Sequence, residues 1–535
     1  MKRFFQIISY TGLFAFPIIL VMGITFKNQF YPETPWSTSN IIKLVGLSLF
    51  LCFLIFVNNN IKKSGGQKEF TISDSLRTGP TQYHRTEKHK AMYPSVPSVA
   101  QTNKLNNGWI FGRHKNKYVI KNFKDLVHIF ILGTTGTGKS ASCLIPNIFN
   151  IRKNCPESSM LVLDIKGELN QSTVPADSEN AVVFDPQNRA TYGYNPFWNL
   201  DNLSSEQEVY ETAQLIAFSL INKTESDSQP FWKESARELL IGLLVHYYIL
   251  GHHNFIECVD LILSSPVKKQ CAEIVENSES NVAKRKLIGF AEMADETLQS
   301  VYQEVNNSIS LFSTDQDIRY ALGVNKRNIT PKQLEEKTSI FISIKEEKLE
   351  AYSNLLKLII NSFLGFLEKR PEGRFPIFII IDELGRIVSS GKLVKLVSLL
   401  QVGRSKNIKL IAAGQSVSQL RSAYSESEVS DMLTNFPTKI ILSAGEESTA
   451  KNVIGWVGKY TEVTKSWNRN KNNSVNIAYE DKDIVNASDL VNLGDELILI
   501  DNQYGYLRIK KNFWFKDSNL KPFIEQIKLE RSKSL

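Results

Sequence analysis

Eight consecutive residues, GTTGTGKS from Gly133 to Ser140, have the types and spacing needed to hold a polyphosphate. Gly133, Gly136 and Gly138 permit a tight turn whose N–H groups aim at phosphate oxygens. Thr134, Thr135 and Thr137 keep the loop polar between them. Lys139 is placed to reach the β- and γ-phosphates, and Ser140 to ligate Mg²⁺. The apolar run VHIFIL enters the loop, and ASCLIPNIF can leave it as a helix whose N-terminus favours negative charge. That strand–loop–helix order points to ATP with Mg²⁺ rather than to a polar surface loop.

Such a loop needs an acidic partner at the end of another buried strand. PIFIIIDE supplies it, with Asp382 to hold the metal's shell and Glu383 to polarise an attacking water. A helix N-cap is the structural alternative for the same pair. IKLIAAGQS ends in Gln415, which suits a γ-phosphate sensor, a water-positioning group or a plain strand-end turn. Arg404, in QVGRSKNI, falls on a helix-to-strand loop, where it is either a finger for a neighbouring subunit's nucleotide or a solvated charge. LDIKGEL adds Asp164, Lys166 and Glu168 at another strand's end, as part of the ligand edge of an open sheet or as a structural ion pair and turn.

These residues must be positioned by an α/β body. Apolar runs at 127–133, 160–167, 181–185, 339–344, 376–382, 408–414 and 438–444 read as buried strands. Between them, residues 204–335 carry apolar residues at helical spacing and read as an all-α insertion. The expected order is therefore nucleotide-binding segments at 108–203 and 336–520 flanking that insertion, with a closing hairpin in ELILIDNQYGYLRIKK and a short tail at 521–535. Lys465 to Asp483, rich in Asn, Lys and Ser, reads as an exposed loop.

The first 64 residues differ. Residues 4–26 form an uncharged apolar run of about 23 residues, long enough to cross a bilayer. A second run spans about 41–57, with Lys43 able to snorkel. Lys2 and Arg3 precede the first run and Lys62 and Lys63 follow the second, so the positive-inside rule puts both termini in the cytoplasm. A two-helix anchor in the plasma membrane, followed by a polar linker at 65–107, is expected in place of a cleaved signal peptide. The 535 residues carry 63 Lys and Arg against 55 Asp and Glu, a net +8 that suits an anionic partner. Five cysteines without a CxxC pair signal neither a zinc site nor a disulfide framework.

Together these motifs resemble the type IV coupling proteins of conjugation and secretion, the TraG/TraD-type ATPases. The resemblance rests on GTTGTGKS, LDIKGEL, YNPF at 194–197, FWKESARELLIGLL, PIFIIIDELGRI and VGRSKNIKLIAAGQSVSQL. It implies a RecA-like domain with an inserted all-α domain, assembled as a homo-hexamer in the inner membrane. It implies ATP-driven or ATP-gated transfer of single-stranded DNA, with a relaxase or relaxosome delivered to the inner-membrane subunits of the secretion channel. Arg404 matches the family's trans-acting arginine and Gln415 its sensor position. DELGRI departs from the longer acidic–aromatic form of the family, and the family's extended acidic tail has no counterpart after about Lys521. Competing readings are a coupling protein for protein effectors, an FtsK-type translocase and an ATP-binding cargo receptor that does not pump.

Overall fold

The computed structural model describes residues 88–534 apart from 177, 223–229, 324–326, 390 and 469–473. The expected membrane spans and most of the linker lie outside the described residues. Among the described residues no helix is long and apolar enough to cross a membrane. The described chain groups into two units, a ribbon within 461–482 and a body formed by 90–460 and 483–535.

The body is built on one twelve-stranded sheet. Its strands are β1 Gln101–Thr102, β2 Gly108–His114, β3 Lys117–Asn122, β4 Ile129–Leu132, β5 Ser159–Asp164, β6 Ala181–Phe184, β7 Ser339–Ser343, β8 Ile377–Ile381, β9 Ile408–Gly414 and β10 Thr438–Ile441, followed after the ribbon by β13 Glu496–Asp501 and β14 Gly505–Lys510. They lie in the order β1-β3-β2-β14-β13-β10-β4-β9-β8-β5-β7-β6. From β10 to β6 every neighbouring pair is parallel. From β13 outward to β1 the pairs are antiparallel. The sequence explains the division. Strands such as IFIII of β8 and IFIL of β4 are buried along their whole length. That pattern belongs to strands covered on both faces, as parallel crossovers require. Each such Ile or Phe contributes about 1.5–3 kcal/mol by leaving water.

The insertion is helical as expected, with seven helices from Glu206–Leu220 to Gln316–Leu322 among the described residues. Local chemistry sets their starts. Ser205 and Glu208 close a capping box, Asn254 and Ser280 accept first-turn N–H groups, and Asp315 caps the last helix. Their apolar faces merge with Ser353–Glu368 and one face of the sheet in a single core.

Three expectations need correction. The segment 465–483 is not a loop: Lys459–Asn468 and Ser474–Asp483 are strands β11 and β12 of a two-stranded ribbon. Its described side chains, at 459–464 and 477–483, are largely exposed, and exposed positions are under no pressure to alternate apolar with polar. The linker does not run to 107, because Val96 and Ala100 are buried and Gln101–Thr102 joins the sheet edge. Residues 521–534 form a helix, not a free tail: Ile524 and Ile527 are buried, and Arg531 Nε donates to Val174 O at 2.7 Å.

His128, just before β4, is locked into the sheet. Its Nδ1 accepts the Leu410 N–H at 2.9 Å, and its ring meets Phe436. Burial, then the nearby Lys409 ammonium, lowers its pKa to about 4. A neutral folded ring against an ordinary unfolded one adds stability that is complete above pH 6.5 and is lost as pH falls toward 4, by up to about 3 kcal/mol. Thermal melting of His128→Gln should therefore fall less steeply than wild type between pH 6.5 and 4.5; parallel curves would refute the assignment.

Candidate active site

The parallel strands end at one edge, and the expected chemistry collects there. β4 and β9 pair Leu132 with Gly414, and β5 and β8 pair Leu163 with Ile381. The residues that follow these pairs are Gly133, Gln415, Asp164 and Asp382. Register alone thus brings four distant segments together.

The loop 133–140 is fixed where it leaves β4. Gly133 N donates to Gly414 O at 3.1 Å, and Thr134 N donates to Ser443 Oγ at 2.9 Å. Thr137 Oγ1 donates back to Thr134 O at 2.7 Å. Gly136 and Gly138 have φ of 81° and 94°, which side chains resist. Thr134, Thr135 and Gly136 are exposed and Ser140 is half-buried, so the concave backbone remains accessible. Lys139–Leu144 then forms a π-helical turn in which Ile145 N donates to Ser140 O. The adjacent Pro146, which has no N–H, opens the α-helix Ile145–Asn154.

Lys139 is only 6% exposed. Its Nζ donates to Gly133 O at 2.7 Å and pairs with Glu383 Oε1 at 2.7 Å. Gln415 Nε2 donates to the other oxygen of Glu383 at 2.9 Å. Glu383 itself sits at φ 59°, a left-handed conformation uncommon for a non-glycine residue and found preferentially at functional sites. Asp382 and Asp164 are buried beside this pair, and Oδ1 of each has no hydrogen-bond partner among the described residues. Burial, then the charges of Glu383 and Asp164, raises Asp382 to about 7. Burial raises Asp164 to about 6, against the N–H of Asn170 that reaches its Oδ2 at 2.7 Å. Two buried carboxyls with open oxygens, next to an exposed glycine-rich loop, suit a divalent cation carried by a phosphate.

Lys139, Asp382, Glu383 and Gln415 therefore meet, with Gly133 to Ser140 wrapped beside them. Arg404 does not join them. It is exposed and lies before the start of β9, whose seven residues span ~23 Å to Gln415 at the opposite end. Lys166 also turns away, with Nζ 3.6 Å from Glu346, and Glu168 begins a short helix after the left-handed Gly167. Sequence reasoning missed Ser443 as an anchor of the loop. TKIILSA does carry that serine, two residues past the end of β10, where Gln415 and Asp382 are each one residue past theirs.

Comparison with known proteins agrees with this architecture. The family described as type IV secretory system conjugative DNA transfer matches residues 85–535. The conjugal transfer protein TraG of Rhizobium radiobacter is 24% identical over 420 residues, 74% of this chain and 63% of its own length. TraG of Agrobacterium fabrum is 24% identical over 328 residues, 58% of this chain and 49% of its own length. The chain thus spans from about half to under two thirds of the length of these curated relatives. Among solved structures, the bacterial conjugative coupling protein TrwBdeltaN70 in its unbound monoclinic form superposes with a TM-score of 0.62 at 15% identity, covering 80% of this chain and 91% of that one. The plasmid coupling protein TrwB in complex with ADP and Mg²⁺ gives 0.58 at 16% identity, covering 78% and 90%. These likenesses show the fold, an α/β P-loop architecture on a mixed sheet.

Gly138→Ala tests the loop geometry. A Cβ there would lie 2.7 Å from Phe513 Cε1 on a backbone with φ 94°. The left-handed conformation alone costs about 1–2 kcal/mol. The variant should unfold at lower denaturant concentration; an unchanged midpoint would mean that the loop relaxes freely.

Proposed function

The chain belongs to the type IV secretory system conjugative DNA transfer family, and from that we propose that it is a membrane-anchored ATPase acting as a coupling protein. It hands a relaxase-bound single strand of DNA to the inner-membrane subunits of a conjugative channel and drives or gates transfer by hydrolysing ATP. The observation that carries the reading is the meeting of Lys139, Glu383, Asp382 and Gln415 beside the loop 133–140.

In this mechanism the loop N–H groups and the N-terminus of the following helix bind the phosphates. Lys139 leaves Glu383 for the γ-phosphate, which neutralises the ammonium as well as the carboxylate did. Glu383, released and still held by Gln415, orients a water and takes its proton. Ser140 and Asp382 would hold Mg²⁺, with Asp382 bound in its ionised form. Bound magnesium supplies charge neutralisation across the β- and γ-phosphates. Arg404 lies too far from its own site to stabilise the transition state there. Its exposure suits the site of a neighbouring copy, which supports a ring, the proposed homo-hexamer. The apolar runs at 4–26 and 41–57 support insertion in the bilayer with both termini cytoplasmic. The helical insertion is proposed to face the cytoplasm and meet relaxosome proteins. DNA held through its phosphates would bind more weakly as salt rises.

Glu383→Gln should keep ATP affinity within a few-fold and lower turnover by about 10²–10⁴. Loss of binding without a selective loss of turnover would contradict the base role. Lys139→Ala should abolish plasmid transfer in a mating assay, and wild-type transfer frequency in that variant would overturn the function.

The neighbour role of Arg404 has its own test. Arg404→Ala and Glu383→Gln should each be inactive alone, yet mixed protomers should recover measurable turnover, because one interface then pairs an intact arginine with an intact carboxylate. No recovery from protomers shown to co-assemble would place the arginine's action elsewhere.

A further inference from the structure

The turn after β14 carries three aromatic residues, Phe513, Trp514 and Phe515, and they differ in what they touch. Trp514 packs against the core, whereas Phe513 and Phe515 belong to neither core cluster. Their rings lie tilted with centroids 5.3 Å apart, and Phe515 is 43% exposed. Phe513 presses on the phosphate loop itself, so closely that Gly138 has no room for a side chain. Lys516 Nζ lies 5.1 Å from the centre of the Phe513 ring.

Phe513 is half-buried and Phe515 exposed, and the turn that carries them is firmly held. Asp517, buried, accepts Tyr118 Oη–H at 2.8 Å and Asn512 Nδ2–H at 3.0 Å and pairs with Arg113 at 3.0 Å. Asn512 Oδ1 in turn accepts Arg113 Nε–H at 2.6 Å. The residues on either side of the aromatic turn are thus bonded to β2 and β3, and the two rings are presented beside the loop rather than folded inward.

We propose that Phe513, backed by Phe515, is the stacking platform for the purine base of the bound nucleotide. A nucleotide whose phosphates lie in the loop carries its base one ribose away, past Gly138 and along the start of the following helix. A base that displaced the exposed Lys516 side chain from the Phe513 ring would gain a stack and lose water from one side. The assignment rests on the nucleotide reading of the loop and extends it to the other end of the ligand. A platform of this kind reads no base edge, so it accepts adenine and guanine alike.

The test is isothermal titration of the purified full chain with MgATP and, separately, with inorganic tripolyphosphate, which has no base. Phe513→Ala should weaken ATP about tenfold or more, the loss of one base–aromatic stack, and leave tripolyphosphate unchanged. Phe513→Trp should bind ATP as wild type does. Unchanged ATP affinity in Phe513→Ala, even with altered self-association, would overturn the platform, and so would equal losses for both ligands, which would make the ring a support for the loop alone. Wild-type chain that takes up neither ligand would instead defeat the nucleotide reading on which the platform rests.

Discussion

Three carboxyl groups and one buried ammonium share the end of the parallel strands, and the rest of the site is arranged around that imbalance. Asp164 and Asp382 are fixed side by side by the β5–β8 register, out of water, each with an oxygen that no described residue satisfies. Lys139 answers only Glu383 directly. Leaving one member of such a buried pair alone costs about 3–5 kcal/mol, so neither charge can be released without a replacement. A magnesium–polyphosphate brings both replacements at once, a cation for the carboxyls and an anion for the ammonium. The strained backbone of Glu383 is tolerated because Lys139 and Gln415 hold its two oxygens from opposite sides.

In the proposed ring one strand would bear on two sites. β9 delivers Gln415 at its C-terminal end, and the loop entering its N-terminal end exposes Arg404. In the proposed ring those two ends face different nucleotides. A rigid strand buried along its length would then link a residue that contacts its own carboxylate to one that reaches the next subunit.

Much of this was legible in sequence, for physical reasons that can be named. Parallel strands buried on both faces leave continuous apolar runs, so β4 to β10 could be read directly, and the polar residues ending the β5, β8 and β9 runs marked the ligand edge. What lacked such a signature was missed. The described side chains of β11 and β12 are largely exposed, which imposes no alternation. β2 and β3 were not resolved, because GWIFGRH and KYVIKN mix glycine and charge with their apolar residues. Lys121 in β3 is buried on Asp501 at 2.9 Å, a partner 380 residues away that no local pattern announces. The position of Phe513 against Gly138 is likewise a product of the tertiary fold. Asp164 was visible as a strand-end acid, but its pairing with Asp382 needed the strand order.

The most direct measurement is steady-state phosphate release from ATP by the purified wild-type chain, with and without magnesium and with single-stranded DNA added. Release should require magnesium, because the buried carboxyls accept the nucleotide only together with its cation, and should rise with DNA. Absent release under all conditions, or release at full rate after magnesium is chelated, would contradict it.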